Sequence, residues 1–454
     1  MKTIYKSAVL LSLLISFPAM VSAAPVSVAR INTGDTAWMI MATALVMLMT
    51  IPGLALFYGG LVRQKNILNI FMQSFMIMAI ISIEWVTVGY SLAFSSAKGI
   101  LAPYIGDFQW ALLRGIRLSD LSPYFISHAQ PGGAGNVGTI PHIVFVLFQM
   151  MFAVITPALI IGAFAERIRF KGFIIFSLLW SVLVYNPVAH WVWSADGWLA
   201  QRGALDFAGG TVVHINAGIA ALVMALMLGK RHDYKGHAVP PHNIPFVAIG
   251  AALLWFGWFG FNAGSGLAAD GLAASAFLVT HIAASAAALT WALLDWFIGG
   301  KPTLVGVSTG AVAGLVAITP AAGFVGVAGA LTIGIMVSLV CFVMVAYVKT
   351  KLGYDDTLDA FGVHGVGGIV GALLTGVLAS PFIQSQYKGL LYGNAHQLWV
   401  QFVAVAATVV YSGALTFLLF VFTDKLFGLR ATPKEEAIGM DEAMHGETAY
   451  TAFD

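Results

Sequence analysis

The sequence predicts an all-α membrane protein, and three observations carry that prediction: its composition, its recurring apolar segments and its distribution of basic residues. Of the 454 residues, 59% are hydrophobic and 9% are charged, and the mean hydropathy is +0.88. Soluble globular domains carry about 25% charged residues. Because so few charges cannot hydrate a whole protein surface, lipid must solvate most of it. The net charge of +2 gives no general bias towards nucleic acid.

The N-terminus has the pattern of a secretory signal peptide. Lys2 and Lys6 precede an apolar run over residues 8–17, and small residues follow as far as Ala23. We expect cleavage after Ala23, which removes residues 1–23 from the mature chain. The alternative is a first membrane anchor, but the apolar run is shorter than the roughly 20 residues that span a bilayer.

Eleven apolar segments follow and define a transmembrane domain over residues 24–424. The predicted segments are 36–58, 67–94, 141–164, 172–193, 209–228, 244–264, 273–297, 303–319, 326–348, 358–379 and 396–424. The 49 glycines of the chain are typical of membrane helices that pack closely. The one cysteine, Cys341, has no partner for an intrachain disulfide, and we interpret it as a packing residue.

Basic residues distinguish the two sides of the predicted bundle. If the mature N-terminus lies outside, the inner loops and the tail together carry 14 Lys and Arg, whereas the outer loops carry 6. The positive-inside rule therefore agrees with the signal peptide. We expect a multi-pass protein of the cell inner membrane, with a cytoplasmic tail over residues 425–454.

Two stretches of the chain repeat the same pattern 150 residues apart. His214 and His364 are each followed four residues later by Gly-Ile and preceded eight residues earlier by an aspartate, Asp206 or Asp356. The copies fall in the fifth and tenth segments, so each repeat holds five spans and the second must run inverted. Inverted repeats that place a site near the bilayer midplane are a transporter architecture. The sequence predicts two inverted five-helix repeats plus a final helix.

The two histidines are the main candidates for chemistry. An ionisable side chain deep in an apolar helix is costly and is by default a functional hypothesis. If His214 and His364 face each other, they share one proton and titrate as a coupled pair, with one imidazole donating and the other accepting. The alternative is that each is a neutral histidine held by hydrogen bonds for packing.

The residues around the histidines do not predict a metal site. A zinc site needs three or four ligands, and Asp206 lies eight residues from His214, about 12 Å along a helix. Haem ligation needs only two histidines, so an intramembrane redox enzyme stays a third functional class. We expect no metal, no cofactor and no enzymatic activity.

Aromatic residues cluster near the outer ends of several segments. Phe148 and Phe152 are four residues apart and share one helix face. Trp193 closes the fourth segment, and an aromatic run in the sixth segment ends at Phe261, shortly before Ser265. Singly, each aromatic residue is typical of an interfacial belt. Together they form a possible cage for a cation.

Four stretches of the sequence resemble one family along nearly the whole mature chain. They are residues 50–60, 206–216, 258–265 and 361–365. On these motifs the sequence resembles the ammonium transporter (Amt) family, close to its bacterial members. The resemblance implies a homotrimer with one pore per subunit. It also implies that the C-terminal tail couples subunits and contacts a PII-type signalling protein.

The resemblance also implies roles for the aromatic residues. Trp193, Phe152 and Ser265 match the external site that recruits the cation, with Phe148 beside them. Phe152 and Phe261 match the stacked pair that closes the pore.

Four further residues match positions inside the family's pore. His214 and His364 match the twin pore histidines, and Asp206 matches the structural carboxylate beneath the recruitment site. Thr319 matches a hydroxyl position near the outer vestibule.

The sequence departs from the family pattern at three places. The external loop near 121–140 is longer than in close relatives. Thr309 stands where serine is expected, and Leu358 stands where some relatives have cysteine.

The predicted function is ammonium transport. Ammonium, and also methylammonium, is expected to bind outside and lose a proton, so that ammonia crosses a hydrophobic pore lined by two histidines, with or without a separate proton. The alternative is an ammonium sensor that signals through its tail, although a tail of roughly 30 residues is too short for an output domain. Membrane lipid is an expected partner and nucleic acid is not.

Overall fold

The computed structural model describes residues 30–124, 138–234 and 239–450. Within these ranges the secondary structure is helical, with two isolated β-bridges. The predicted signal peptide, residues 1–23, and the Gly-rich part of the long external loop lie outside the described residues.

Eleven apolar helices form the body of the protein. In chain order they are α1 Thr33–Leu61, α2 Gln64–Phe94, α3 His142–Phe164, α4 Phe170–Gln201, α5 Gly210–Leu228, α6 Ile244–Ala263, α7 Gly271–Gly299, α8 Leu304–Ile318, α9 Val327–Leu352, α10 Phe361–Leu378 and α11 Ala395–Phe427. Ten of these described helices are long and apolar enough to cross a membrane, and α8 is the shorter one. Each corresponds to one predicted segment, so the predicted fold class is confirmed.

Several helices begin at a polar residue that caps free backbone donors. The first N–H groups of a helix have no intrahelical acceptor, and a short polar side chain satisfies them at low entropic cost. Asn32 accepts from the backbone of α1, Asn243 from α6, Asp270 from α7 and Thr303 from α8. These residues set the starts of the helices where apolar character alone leaves the boundary open.

Helix α8 is too short to cross a bilayer alone. Its 15 residues rise about 22 Å at 1.5 Å per residue, against a hydrocarbon core of about 30 Å. It packs against α6, α7, α9 and α10, and most of its residues are buried. Its C-terminal end is buried in protein, whereas Leu304 at its start is exposed.

The helix contacts repeat between the two halves. Helix α3 packs on α1, α2 and α5, and its counterpart α8 packs on α6, α7 and α10. The first helices of the halves, α1 and α6, also pack on each other, as do the last, α5 and α10. The final helix, α11, lies across α4, α5 and α10. This is the predicted arrangement of two five-helix repeats and one extra helix.

Glycine lets α5 and α10 cross at van der Waals contact. A Cβ atom on Gly218 would lie 2.1 Å from the backbone nitrogen of Gly365, and one on Gly368 would lie 3.0 Å from the carbonyl oxygen of Gly210. Gly218 and Gly368 are the duplicated glycines of the sequence. Because glycine has no side chain, the two helix backbones can approach each other closely where the histidines lie.

The tail packs on the end of the bundle where α1 ends and α2 begins. It contains two short helices, α12 Pro433–Ile438 and α13 Met440–His445. The Asp441 carboxylate accepts the backbone N–H groups of Leu68 and Asn69, at 3.1 and 2.8 Å. Lys65 Nζ donates to the carbonyl oxygens that end α12. This end of the molecule is called the tail side below.

Candidate functional site

The duplicated histidines meet in the interior. Nδ1 of His214 lies 3.3 Å from Nδ1 of His364, and the ring centroids are 5.3 Å apart with planes inclined by 18°. Both side chains are almost completely buried. Two neutral imidazoles at this distance hold one shared hydrogen bond, because one Nδ1 must donate and the other accept.

Each histidine lies in a widened, π-helical turn at the start of its helix. These turns cover Gly210–Ile215 in α5 and Phe361–Gly365 in α10. Such turns are rare and occur frequently at functional sites. The sequence predicted the histidines but not the turns.

Asp206 anchors the turn that carries His214. Its two carboxylate oxygens accept the backbone N–H groups of Gly209, Gly210, Thr211 and Val212, at 2.6–3.1 Å. All the orphan donors at this helix start are therefore satisfied by one side chain. The geometry gives Asp206 a positioning role, with its negative charge at the positive end of the helix dipole.

A tryptophan stacks on the first histidine and is itself fixed by a threonine. The rings of Trp258 and His214 lie 5.4 Å apart at 21°. Trp258 Nε1 donates to Thr319 Oγ1 at 2.8 Å, and that hydroxyl donates to the carbonyl oxygen of Leu315. Thr319 is completely buried beside Trp258 and is not among the residues that line the vestibule.

Two phenylalanines close the passage above the histidines. The rings of Phe152 and Phe261 lie 4.2 Å apart at 30°, and both residues are buried. Phe148 contacts Phe152 edge-on at 4.9 Å, and Trp193 does so at 5.6 Å. The edge-to-face contacts hold the Phe152 ring in one orientation.

An open cavity of about 410 Å³ lies beyond the phenylalanines. We call it the vestibule, and its lining includes Tyr124, Gln149, Trp193, Asp206, Phe207 and Ser265. Trp193 Nε1 donates to the carbonyl oxygen of Asp206 at 2.9 Å, and Ser265 Oγ donates to that of Phe261 at 2.8 Å. The structure therefore brings together Trp193, Ser265 and Asp206, whereas Phe148 packs behind Phe152.

Gln149 is a vestibule residue that sequence reasoning missed. It lines the cavity, and its buried Oε1 has no hydrogen-bond partner. Gln149 precedes Phe152 by three residues, so it lies on the same face of α3. The three-residue spacing from Phe152 is the sequence feature from which Gln149 could have been predicted as a vestibule residue.

Two small cavities continue the passage on the other side of the phenylalanines. One of about 10 Å³ is lined by both histidines, Trp258 and aliphatic residues. About 10–15 Å³ is the least that a water-sized molecule needs, so this space is at the lower limit for one such molecule. The next, of about 60 Å³, lies towards the tail side and is lined by His364, Thr309, Leu358 and other residues. Thr309 and Leu358, where the chain departs from the family pattern, therefore lie along the passage.

Within the described ranges, no third His, Cys, Asp or Glu side chain joins the histidine pair in a geometry suited to a metal ion. The pair instead faces aromatic and aliphatic walls. Fold and site together define the class of protein: a multi-pass α-helical membrane protein in which a buried histidine pair and a series of cavities lie between two repeats.

Comparisons with known proteins identify the family. The profile of the Ammonium Transporter Family matches residues 37–450. The ammonium transporter of Bacillus subtilis is 51% identical over 92% of this chain and 98% of its own, and that of Aquifex aeolicus is 51% identical over 93% and 95%. The chain therefore belongs to the ammonium transporter family.

Solved structures agree with the sequence comparisons. The crystal structure of Candida albicans Mep2 has a TM-score of 0.81 and 35% identity, covering 89% of this chain and 88% of that chain. A structure named Sensor Amt Protein has a TM-score of 0.80 and 30% identity, covering 91% and 98%.

Proposed function

We propose that the protein binds ammonium in the vestibule, removes one proton at the phenylalanine pair and conducts ammonia between the two histidines. The observation that carries this proposal is the order of the parts. A polar, aromatic vestibule is followed by a closed aromatic constriction, and then by two hydrogen-bonded imidazoles in apolar walls.

The vestibule has the chemistry to concentrate a small cation. The ring of Trp193 and the neighbouring aromatic faces attract a cation by about 0.5–2 kcal/mol each. Ser265 donates its proton to Phe261, so its oxygen lone pairs are available to accept an N–H of ammonium. The unpaired Oε1 of Gln149 is a further acceptor on the same wall. Both metal ions and ammonium have charge, but only ammonium donates hydrogen bonds.

The constriction favours a neutral solute. Moving an unpaired ion into an apolar medium costs tens of kcal/mol in an idealised Born estimate. The aromatic attraction is far too small to offset that cost. Ammonium avoids it by losing a proton, whereas sodium and potassium have no proton to lose. Selectivity follows from this difference rather than from pore diameter.

The histidine pair offers ammonia both kinds of hydrogen bond. When one Nδ1–H donates to the other Nδ1, the donor ring has an accepting Nε2 and the acceptor ring has a donating Nε2–H. Nε2 of His214 is buried and has no partner. Ammonia, which donates and accepts, replaces its lost hydration here without any full charge in the pore.

The topology and the assembly of the protein belong to the same proposal. We infer cleavage after Ala23, an external vestibule and a cytoplasmic tail side in the cell inner membrane, which the distribution of Lys and Arg supports. We also infer a homotrimer, supported by a broad apolar groove of about 680 Å³ where Phe259 and Phe277 stack at the surface. A PII-type protein is the inferred partner at the tail side.

A sensor is the second candidate function. The similarity to the structure named Sensor Amt Protein favours it, and the tail binds the backbone at the start of α2 directly. Such a protein binds ammonium in the same vestibule but reports it through the tail.

Reconstituted vesicles separate the two functions. We expect the full chain to take up radiolabelled methylammonium down its gradient, and unlabelled ammonium to compete. Vesicles that bind ammonium without any uptake would support the sensor instead. A current on ammonium pulses shows whether the removed proton also crosses, and uptake with no current means that the proton returns outside.

A further inference from the structure

A lysine and an aspartate form an ion pair beside the tail-side mouth of the proposed passage. Lys349, near the end of α9, binds Asp359 Oδ1 through its Nζ and also donates to the carbonyl oxygen of Asp356 at 3.3 Å. The Lys349 and Asp359 side chains are 11% and 24% exposed. Within the described part of the chain, no other side chain forms a hydrogen bond or an ion pair with the Asp359 carboxylate. Neither residue has a role in the proposed passage of ammonia.

Asp359 belongs to the wall of the passage, whereas Lys349 does not. The tail-side cavity of about 60 Å³ is lined by Asp359 together with His364 and other residues, and Lys349 is not part of that lining. The cavity has several times the roughly 10–15 Å³ that a water-sized molecule needs. A small solute that leaves the histidine pair on this side therefore enters a space with a carboxylate residue on its wall.

Two hydroxyl residues share this wall with Asp359. They are Thr309 and Tyr58. Their hydroxyls donate to backbone carbonyl oxygens at 2.8 and 3.0 Å, so each oxygen keeps lone pairs with which it can accept. The wall thus combines a carboxylate with two further acceptors, which is a suitable chemistry for a cation that donates hydrogen bonds.

The duplication provides a comparison for Asp359. The corresponding residue 150 positions earlier is Gly209, and both lie in the left-handed region, at φ +59° and +112°. Glycine adopts this conformation freely, whereas other residues are uncommon in it. The start of α10 does not need the Asp359 carboxylate, because Asp356 already accepts its free N–H groups. Backbone strain kept without such a structural need is typical of functional sites.

We propose that Lys349 is a specificity-determining residue of the tail-side mouth, because its charge cancels that of the Asp359 carboxylate. An unpaired carboxylate at this place would bind ammonium through charge-assisted hydrogen bonds. With Lys349 present the pair has no net charge, and the cavity stays open to neutral ammonia because the lysine lies outside its lining. The mouth therefore releases ammonia but does not recruit ammonium. This inference rests on the proposed function, since it explains why the cation is recruited on the vestibule side alone.

Uptake measured from each side of the membrane tests the proposal. Right-side-out and inside-out membrane vesicles from cells that express the full chain present opposite mouths to radiolabelled methylammonium, and the half-saturating concentration is measured for each. In the wild type we expect the higher half-saturating concentration from the tail side. Lys349→Met should lower the tail-side value by roughly tenfold, which is the effect of one hydrogen bond to a charged group. The vestibule-side value should stay unchanged.

Three further variants separate the charge from other effects. Lys349→Arg keeps the charge and should behave as the wild type does. Lys349→Met combined with Asp359→Gly removes the carboxylate but permits the same backbone conformation, so the tail-side value should return to that of the wild type. Lys351→Met, at an exposed lysine two residues further along the chain, is the matched control and should change neither value.

Each outcome decides the proposal. An unchanged tail-side value in assembled Lys349→Met, a gain that persists without the Asp359 carboxylate, or equal values from the two sides in the wild type overturns it. If Lys349→Met does not assemble, Lys349→Gln replaces it, because its amide keeps a donor for the carboxylate and removes the charge, and the same shift is expected. Failure of the proposed function is a different result, namely no protein-dependent uptake by the wild type from either side.

Discussion

At both ends of the proposed passage an aspartate carboxylate caps the start of a helix, but the cavities at the two ends differ in size. At the vestibule end, Asp206 binds four backbone N–H groups at the start of α5. At the tail side, Asp356 binds two at the start of α10. Yet one mouth is a cavity of about 410 Å³ with an indole wall, and the other is about 60 Å³.

This difference separates the features that the two repeats share from the features that belong to one mouth alone. The repeat positions two capped helix starts and two histidines at corresponding places in α5 and α10. The loops and aromatic residues around each mouth are not duplicated. In the proposed mechanism they assign cation binding to one side, so the direction of recognition depends on the residues around each mouth and not on the histidine pair.

Substituting each of the two aspartates in turn should give the largest effects. We expect the loss of stability and uptake to be greater for Asp206 than for Asp356. Asp206→Ala leaves four buried donors unsatisfied, at about 1–3 kcal/mol each, and we expect loss of methylammonium uptake together with a large drop in thermal stability. Asp356→Ala leaves two, and we expect a smaller loss of stability. Uptake and melting of both variants check this, and equal effects would mean that the caps are not what distinguishes the two ends.

Alanine substitutions of the two glycines where α5 crosses α10 should also have unequal effects on uptake, with the larger effect again in α5. Gly218→Ala places a Cβ atom 2.1 Å from backbone, whereas Gly368→Ala places it at 3.0 Å. Because backbone cannot yield as a side chain does, we expect Gly218→Ala to separate α5 from α10 and abolish uptake. Gly368→Ala should keep part of it. Normal uptake in Gly218→Ala would show that the two helices do not cross as closely as described.

Glu166 forms ion pairs with Arg63 and Arg231 on the tail side, at 2.8 Å each. This ion network predicts that the stability of the protein depends on pH. Burial alone would raise the pKa of the Glu166 carboxyl, but hydrogen bonds and charges from Arg63 and Arg231 outweigh it and lower the pKa to about 2. A lowered folded-state pKa contributes stability that is complete above the ordinary value of 4.5 and is lost as pH falls towards 2. Glu166→Gln should therefore lower the melting temperature at neutral pH, and the difference should shrink in acid.

The exposed Glu442 provides the control for this network. Glu442→Gln removes a tail carboxylate on the solvent-exposed surface, and its melting curve should follow the wild type at every pH. A Glu166→Gln difference that stays constant into acid would contradict the ionic origin of the effect.

The smallest expected effect concerns the tryptophan above His214. Thr319→Val removes the acceptor of Trp258 Nε1, and a lost buried hydrogen bond of this kind costs about 1–3 kcal/mol. We expect reduced uptake with normal assembly, since Trp258 still fills the same space. Thr309→Val on the tail-side cavity is the comparison, because the Thr309 hydroxyl donates to its own helix backbone. A larger loss in Thr309→Val would reverse the ranking.

The sequence predicted the parts of the structure that local patterns encode. All eleven helices followed from apolar length, and the meeting of His214 with His364 followed from the duplicated spacing. The hydrogen bond between Trp258 and Thr319 did not follow, because the two residues lie 61 positions apart. The hydrogen bonds of the buried Glu84 did not follow either, because its partners Ser181 and Asn186 lie 97 and 102 residues further along the chain. Contacts across such distances have no signature in either segment alone.

Selective flux through a variant that lacks both pore imidazoles tests the central claim most directly. Vesicles carry opposing ammonium and potassium gradients, and His396→Ala, an exposed histidine at the start of α11, serves as the matched control. We predict that the control conducts ammonium and excludes potassium as the wild type does. The variant with both His214→Ala and His364→Ala should assemble but lose this selective flux. Wild-type ammonium flux and potassium exclusion in that assembled double variant would contradict the account.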